Sequence, residues 1–347
     1  MIIMGVRTLC FVAAAIALTT PASASLKGGA TDEHPRVAWL DRFQESRQGP
    51  EQTDKFSGTY KIDANGALDL AHISGDIRVS TSSGNQVRID AIKRVRHRDP
   101  DEARRLLDAM RVDVTQVGSR IEVRTIYPRL TRNRGFSGSI DYTITVPQNL
   151  AVSVKTVSGD VSVNGVRGEV RAESVSGDVE VVATPNLAVA KTVSGDVQAR
   201  DISSTSLSIG SVSGTVIATD VEVRTLDATS VSGDLRLSDL DVERLMAKTL
   251  SGEIVFEGAL ARGGRYEFNA HSGDVRLILA PNTAGFELDA STFSGSVRSD
   301  FPVALRSTGT GDGRRGTTSR AIRGTYGDAS AILSLRSFSG SVVIVRK

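Results

Sequence analysis

Residues Ala151 to Arg200 read AVSVKTVSGDVSVNGVRGEVRAESVSGDVEVVATPNLAVAKTVSGDVQAR. Val-Ser-Gly-Asp-Val occurs three times in this stretch, with its serine at positions 158, 176 and 194. Ser-Gly pairs in a similar context recur through most of the chain, at intervals of 18 to 22 residues from Ser158 to Ser294: Ser74, Ser158, Ser176, Ser194, Ser213, Ser232, Ser251, Ser272, Ser294 and Ser339. A period of this size is typical of stacked structural repeats.

Aligning the repeats on the serine reveals apolar and hydroxyl columns. The sixth residue before it is apolar: Val152, Val170, Ala188, Leu207, Leu226, Leu245, Tyr266, Leu288 and Leu333. The fourth residue before it is also apolar: Val154, Ala172, Ala190, Ile209, Ala228, Ala247, Phe268, Ala290 and Leu335. The second is Thr or Ser in nearly every repeat. Alternation at period two predicts a strand with one buried face, followed by a turn at Ser-Gly and a second strand.

A repeat of about 18 residues is too short to bury a strand face alone, whereas stacked equivalent strands form a continuous core. We therefore predict an all-β fold, a single-chain parallel β-solenoid with coils of about 18 to 22 residues. A sandwich or propeller of short antiparallel strands is the alternative, because it also places turns at short intervals. Identical columns at a constant spacing favour the solenoid.

The chain divides into four predicted parts. Residues 1–24 resemble a signal peptide, since Arg7 precedes an apolar run and Ala22-Ser23-Ala24 resembles a cleavage site. Residues 25–55 form a polar linker or arm, and residues 56–150 a β-rich N-terminal cap with a short helix near residues 100–112. Residues 151–347 carry the solenoid repeats, with a Gly- and Arg-rich loop near residues 306–328. These features predict export to the periplasm or the cell surface.

Composition argues against several classes of protein. The formal net charge is +2 and aromatic residues are 5% of the chain, so a nucleic-acid partner is not expected. The sole cysteine, Cys10, lies in the predicted signal peptide, so the exported chain has no disulfide. No segment predicts a transmembrane helix, a cofactor fingerprint or a catalytic motif. We expect a protein that is not an enzyme and has no cofactor.

An acid follows the Ser-Gly pair in most repeats. Stacking would bring Asp160, Asp178 and Asp196 within about 5 Å of their neighbours, which permits a ladder of Ca²⁺ ligands. The alternative is that each aspartate bonds its own turn, which explains why the acid recurs in a uniform column rather than at one place. Catalysis by paired acids needs a unique constellation, which a uniform column does not supply.

The residue immediately before each serine is apolar, although alternation places it on the outer face. These residues are a candidate interaction surface: Val157, Val175, Val193, Val212, Val231 and Leu250. An exposed row of this kind marks an interface. The alternative is that the chain bends at the corner and buries them.

The repeated pattern of apolar residues, hydroxyl and Ser-Gly-Asp, as in TVSGDV at Thr156 and Thr192, resembles the bacterial DUF4097 family of adhesin-like β-strand repeat proteins. The resemblance covers roughly residues 56–347. It implies an exported protein that binds a protein or an envelope component at the cell surface. A periplasmic partner or sensor in an envelope-response system is an alternative. A polysaccharide-active β-helix enzyme is a further alternative, with Arg314 to Arg323 as the place to look for its cleft.

Overall fold

The computed structural model describes residues 50–63, 65–128, 137–305 and 320–347. The predicted signal peptide, most of the predicted arm and residues 306–319 of the predicted loop lie outside these ranges. The described residues belong to one compact unit, Arg47–Lys347. Within the described ranges the chain forms strands and a single helix, which confirms the all-β class with one short helix.

Residues before the main repeats form seven strands and the helix. Their bounds are β1 (Glu51–Lys61), β2 (Ala67–Ala71), β3 (Ile77–Ser82), β4 (Gln86–Arg96), α1 (Pro100–Ala109), β5 (Arg111–Val117), β6 (Arg120–Ile126) and β7 (Ser137–Pro147).

The main repeats contribute the strands of the central part. These are β8 (Ala151–Lys155), β9 (Val161–Asn164), β10 (Val170–Glu173), β11 (Val179–Val182), β12 (Leu187–Ser194), β13 (Val197–Ser213), β14 (Val216–Ser232), β15 (Leu235–Ser251), β16 (Ile254–Gly258), β17 (Arg265–Ser272), β18 (Val275–Leu279) and β19 (Phe286–Ser294). The C-terminal strands are β20 (Val297–Ser299), β21 (Ala304–Leu305), β22 (Ala321–Tyr326), β23 (Ala331–Ser339) and β24 (Val342–Arg346).

Equivalent strands of neighbouring repeats pair in parallel. In β8 and β10, Val152 lies opposite Val170 and Val154 opposite Ala172, and the same columns are in register between β13, β14 and β15. Parallel pairing between repeats disagrees with the antiparallel sandwich or propeller. The apolar columns are buried as predicted, except that Leu187 rather than Ala188 takes the buried place in β12, because the register shifts after Val170.

The repeats do not stack in the order of the sequence at either end. The last repeat inserts one place early, because β23 pairs in parallel with both β17 and β19. The first repeat behaves in the same way, since β2 pairs with β6 on one side and β8 on the other. Each terminal repeat is therefore held by hydrogen bonds along both edges.

Antiparallel strands lie beyond the parallel repeats. At the N-terminal side β4 pairs with β1 and β7, and α1 packs against β4 and β1 through Ala103 and Leu107. The helix begins as predicted, because the Asp99 side chain accepts a hydrogen bond from the Asp101 N–H at 3.0 Å. At the other end β22 pairs with β19.

Two predicted boundaries change. Residues 51–55, placed in the arm, belong to β1, because they pair with residues 92–96 of β4. Part of the predicted Gly- and Arg-rich loop is also structured, because β22 supplies residues 321–326 as a strand along β19.

Candidate functional site

The Ser-Gly corners join each repeat to the next through backbone groups. The Gly177 N–H donates to the Ser194 carbonyl oxygen at 2.9 Å, and the Gly159 N–H donates to Ser176 at 2.8 Å. These glycines have φ between +130° and +135°, and a Cβ on Gly177 would overlap the Gly159 carbonyl oxygen. Glycine is required here both by its backbone conformation and by the close approach of neighbouring repeats.

Buried hydroxyls add a second link between repeats. The Thr192 Oγ1 hydroxyl donates to the Gly177 carbonyl oxygen at 2.9 Å, and Ser211 donates to Gly195 at 2.8 Å. The hydroxyl column therefore satisfies carbonyl groups of the preceding corner. Thr156 is an exception, because its buried Oγ1 has no hydrogen-bond partner.

The aspartate column makes a third link, which differs from the prediction that each carboxylate bonds its own turn. The Asp178 N–H donates to the Asp160 carboxylate at 2.9 Å, and the Asp196 N–H donates to Asp178 at 2.8 Å. Each carboxylate thus bonds the turn of the next repeat, because the stacking distance brings that amide within reach. Among the described residues, no group of three or more His, Cys, Asp or Glu side chains is arranged to hold a metal ion.

The residues before the corners form a row on the outer face, which we call the exposed stripe. Val157, Val193, Val212, Val231 and Leu250 have 40 to 52% of their surface exposed, whereas Val175 is half-buried. The neighbouring residues Thr156 and Thr192 are only 4% exposed. The chain therefore does not bend far enough at the corner to bury the stripe.

The exposed stripe continues beyond Leu250 into three aromatic side chains, which we call the aromatic end. His271 and Phe338 stack with their ring centroids 5.0 Å apart, and Phe338 and Phe293 stack at 4.9 Å. Phe338 lies between the other two because its repeat inserts between theirs. The sequence carried the signal, since all three residues precede Ser-Gly, but our predicted set ended at Leu250.

The inserted first repeat carries a buried polar cluster that the sequence analysis missed. His72 stands where most repeats have Thr or Ser, and its Nδ1 shares a 2.9 Å hydrogen bond with Thr125 Oγ1. Thr125 in turn shares a 2.9 Å hydrogen bond with the Tyr142 hydroxyl. Burial lowers the pKa of His72 to about 4, so the ring is neutral near pH 7.

The predicted place for a polysaccharide-cleaving cleft is described only in part. Arg314 and Arg315 lie outside the described residues. Arg323 is on β22, where its guanidinium donates to the Asp289 carboxylate at 2.9 Å. This pair is exposed and links β22 to β19.

Comparison with known proteins places this repeat architecture in a family. The sequence model of the Toastrack DUF4097 family matches residues 65–344. The chain belongs to the Toastrack DUF4097 family. No curated protein is significantly similar to it in sequence.

Solved structures resemble this DUF4097 chain at low sequence identity. A candidate adhesin from Bacteroides fragilis NCTC 9343 is 13% identical, with a TM-score of 0.40 and coverage of 85% of this chain and 97% of that chain. A candidate lipid-binding protein from Parabacteroides distasonis ATCC 8503 is 13% identical, with a TM-score of 0.40 and coverage of 84% and 97%. A candidate adhesin from Parabacteroides merdae ATCC 43184 is 10% identical, with a TM-score of 0.36 and coverage of 84% and 96%.

The predicted absence of a transmembrane helix concerns the same described ranges. There, no helix is both long enough and apolar enough to cross a bilayer.

Proposed function

We propose that this chain is an exported, non-enzymatic binding protein of the adhesin-like or scaffold type. Its framework is a single-chain parallel β-solenoid with coils of 18 to 22 residues, and its binding surface is the exposed stripe. The partner is a protein or another component of the cell envelope. The periplasm and the cell surface are the two destinations consistent with the signal-like segment at residues 1–24.

One observation carries this proposal: apolar side chains recur on the outer face in repeat after repeat. Val193 is 42% exposed although Thr192 beside it is buried. The solenoid core does not need these side chains, because the apolar columns two and more residues earlier already fill it. An apolar row on a surface is favourable when a partner covers it.

The side chains that could suggest an enzyme have structural roles instead. The aspartates of the corners bond amides of the next repeat, as at Asp160 and Asp178. His72 is buried in a hydrogen-bonded cluster with Thr125 and Tyr142. These contacts support a binding function rather than acid–base or nucleophilic chemistry.

A photo-crosslinking residue at Val193, introduced in cells, tests the proposal. We expect a specific adduct with an envelope component, and fractionation of the same cells separates a surface adhesin from a periplasmic scaffold or sensor. A probe at Arg236, which is exposed and away from the stripe, is the matched control. Equal labelling from both positions, or no adduct from folded and exported protein, would contradict the proposed function.

A further inference from the structure

The aromatic end borders a shallow groove of about 630 Å³. One wall consists of His271, Phe338 and Phe293, and the other includes Lys248 and Arg336. The floor is formed by the buried second-last residues before each serine, such as Thr249 and Ser337. The groove therefore joins apolar ring edges to two cations across four neighbouring repeats.

Positive charge in this groove is not compensated by the protein. Lys248 and Arg336 form no ion pair with any described residue, and no carboxylate lines the groove. Elsewhere along the stripe the pattern differs, since Lys155 pairs with Glu173 at 3.1 Å. The acidic column also ends here, because Ser341 and Ser296 replace aspartate in the repeats of Phe338 and Phe293.

The shape of the groove argues against a small ligand. Sites for small molecules are concave and enclose most of the ligand surface, whereas this groove is open and Phe293 projects with 66% of its surface exposed. A partner that covers the aromatic end must itself be an extended surface.

The arrangement of the rings also restricts the partner. The rings stack with interplanar angles of 3° and 5°, so they cover most of one another's faces and present their edges outward. A sugar ring prefers an open aromatic face, and Phe338 offers neither of its faces. Apolar edges beside unpaired cations suit a bilayer surface, where apolar side chains enter the interface and Lys and Arg attract anionic headgroups.

We infer that the aromatic end binds an anionic lipid surface through Leu250, Phe338 and Phe293, with Lys248 and Arg336 facing the headgroups. The inference rests on the proposed binding role of the exposed stripe and adds the chemistry of the partner. Only the side chains of the aromatic end enter the interface, and the chain remains on one side of the bilayer.

Vesicle co-sedimentation of the full chain tests the inference, with phosphatidylglycerol mixed into phosphatidylcholine compared with phosphatidylcholine alone. We expect binding to the anionic vesicles that weakens as salt is raised, because the headgroup attraction is screened. The variant Lys248→Gln/Arg336→Gln should lose about fivefold in affinity per charge. The variant Phe338→Ser/Phe293→Ser should lose at least about tenfold.

A charge-matched control is the variant Arg171→Gln/Arg236→Gln, which removes two cations that pair with Glu169 and Asp234 away from the aromatic end. It should bind nearly as well as the unmodified chain. All variants carry the same first 49 residues, so differences between them do not arise from the apolar segment there. Circular dichroism melts confirm that each variant is folded.

Equal affinity of all variants, or equal binding to neutral and anionic vesicles, would overturn the inference. So would binding to soluble polygalacturonate without binding to the anionic vesicles, which would identify a glycan partner instead. A Val193 adduct combined with no vesicle binding would leave the proposed function standing and reject only the lipid partner.

Discussion

The hydroxyl column can be tested by a pair of isosteric substitutions. Thr156 and Thr192 occupy equivalent positions in repeats two apart, and each is 4% exposed. The Thr192 hydroxyl donates to the Gly177 carbonyl oxygen at 2.9 Å, whereas the Thr156 hydroxyl has no partner. Replacing each by valine removes the hydroxyl and keeps the shape and β-branching of the side chain.

The two substitutions should change stability in opposite directions. Thr192→Val removes a hydrogen bond and leaves a carbonyl group without its donor, which costs about 1 to 2 kcal/mol in the free energy of unfolding. Thr156→Val removes a buried hydroxyl that makes no hydrogen bond, so the same exchange should be neutral or stabilise by up to about 1 kcal/mol.

Urea unfolding followed by circular dichroism gives both values, provided that the slope of the transition is the same for the two variants. Stacked repeats can unfold in more than one step, so the comparison should use the transition that both variants share. Equal losses at the two positions would show that the Thr192 hydrogen bond does not stabilise the corner. A larger loss at Thr156 would refute the hydrogen-bond assignment altogether.

Three further predictions concern the corners, the buried histidine and the acidic edge. Gly195→Ala should cost at least about 3 kcal/mol, because its Cβ would overlap the Gly177 carbonyl oxygen, whereas Gly118→Ala should cost only about 1 kcal/mol, since the turn glycine with φ +58° has open space around it; urea unfolding that gave equal costs would contradict the close approach. The folded pKa of His72 is about 4 against an ordinary 6.5, so the unfolded chain takes up the proton first as the pH falls, and about 3 kcal/mol of stability is lost between those values; His72→Thr should remove this part of the pH dependence, and an unchanged pH profile of unfolding would contradict it. Asp220→Asn should raise the melting temperature, and more so at low salt, because Asp220 has φ +55° and lies between Asp201 and Asp239 with similar angles, whereas Asp220→Val should lower it, since a β-branched side chain tolerates that conformation poorly; a melting temperature for Asp220→Asn that did not rise, or that responded equally at all salt concentrations, would count against charge repulsion in this column.

The repeat itself could be predicted from the sequence. Alternation at period two identifies which side chains face the core, and an identical column such as Val152, Val170 and Leu226 survives alignment because the same environment recurs in every repeat. The Ser-Gly corner is equally local, since positive φ restricts the residue to glycine. The start of α1 was visible for the same reason, because a cap depends on a few adjacent residues.

The candidate site could be predicted only in part. Alternation placed Val157 to Leu250 on the outer face, but their exposure depends on how sharply each corner bends. The stack of His271, Phe338 and Phe293 could not be foreseen as an ordered unit, because Phe338 and Phe293 are 45 residues apart in sequence and meet only through the inserted repeat.

Sequence alone determined the class of fold, the buried columns and the residues of the corner, because each depends on near neighbours and on translation by one repeat. The tertiary structure decided the order of the terminal repeats. Since every repeat presents matching columns, β23 satisfies the same register beside β17 and β19 as it would at the end of the stack. It also decided that Asp160 bonds the next turn rather than its own, because that choice depends on the distance between repeats and not on the residues within one.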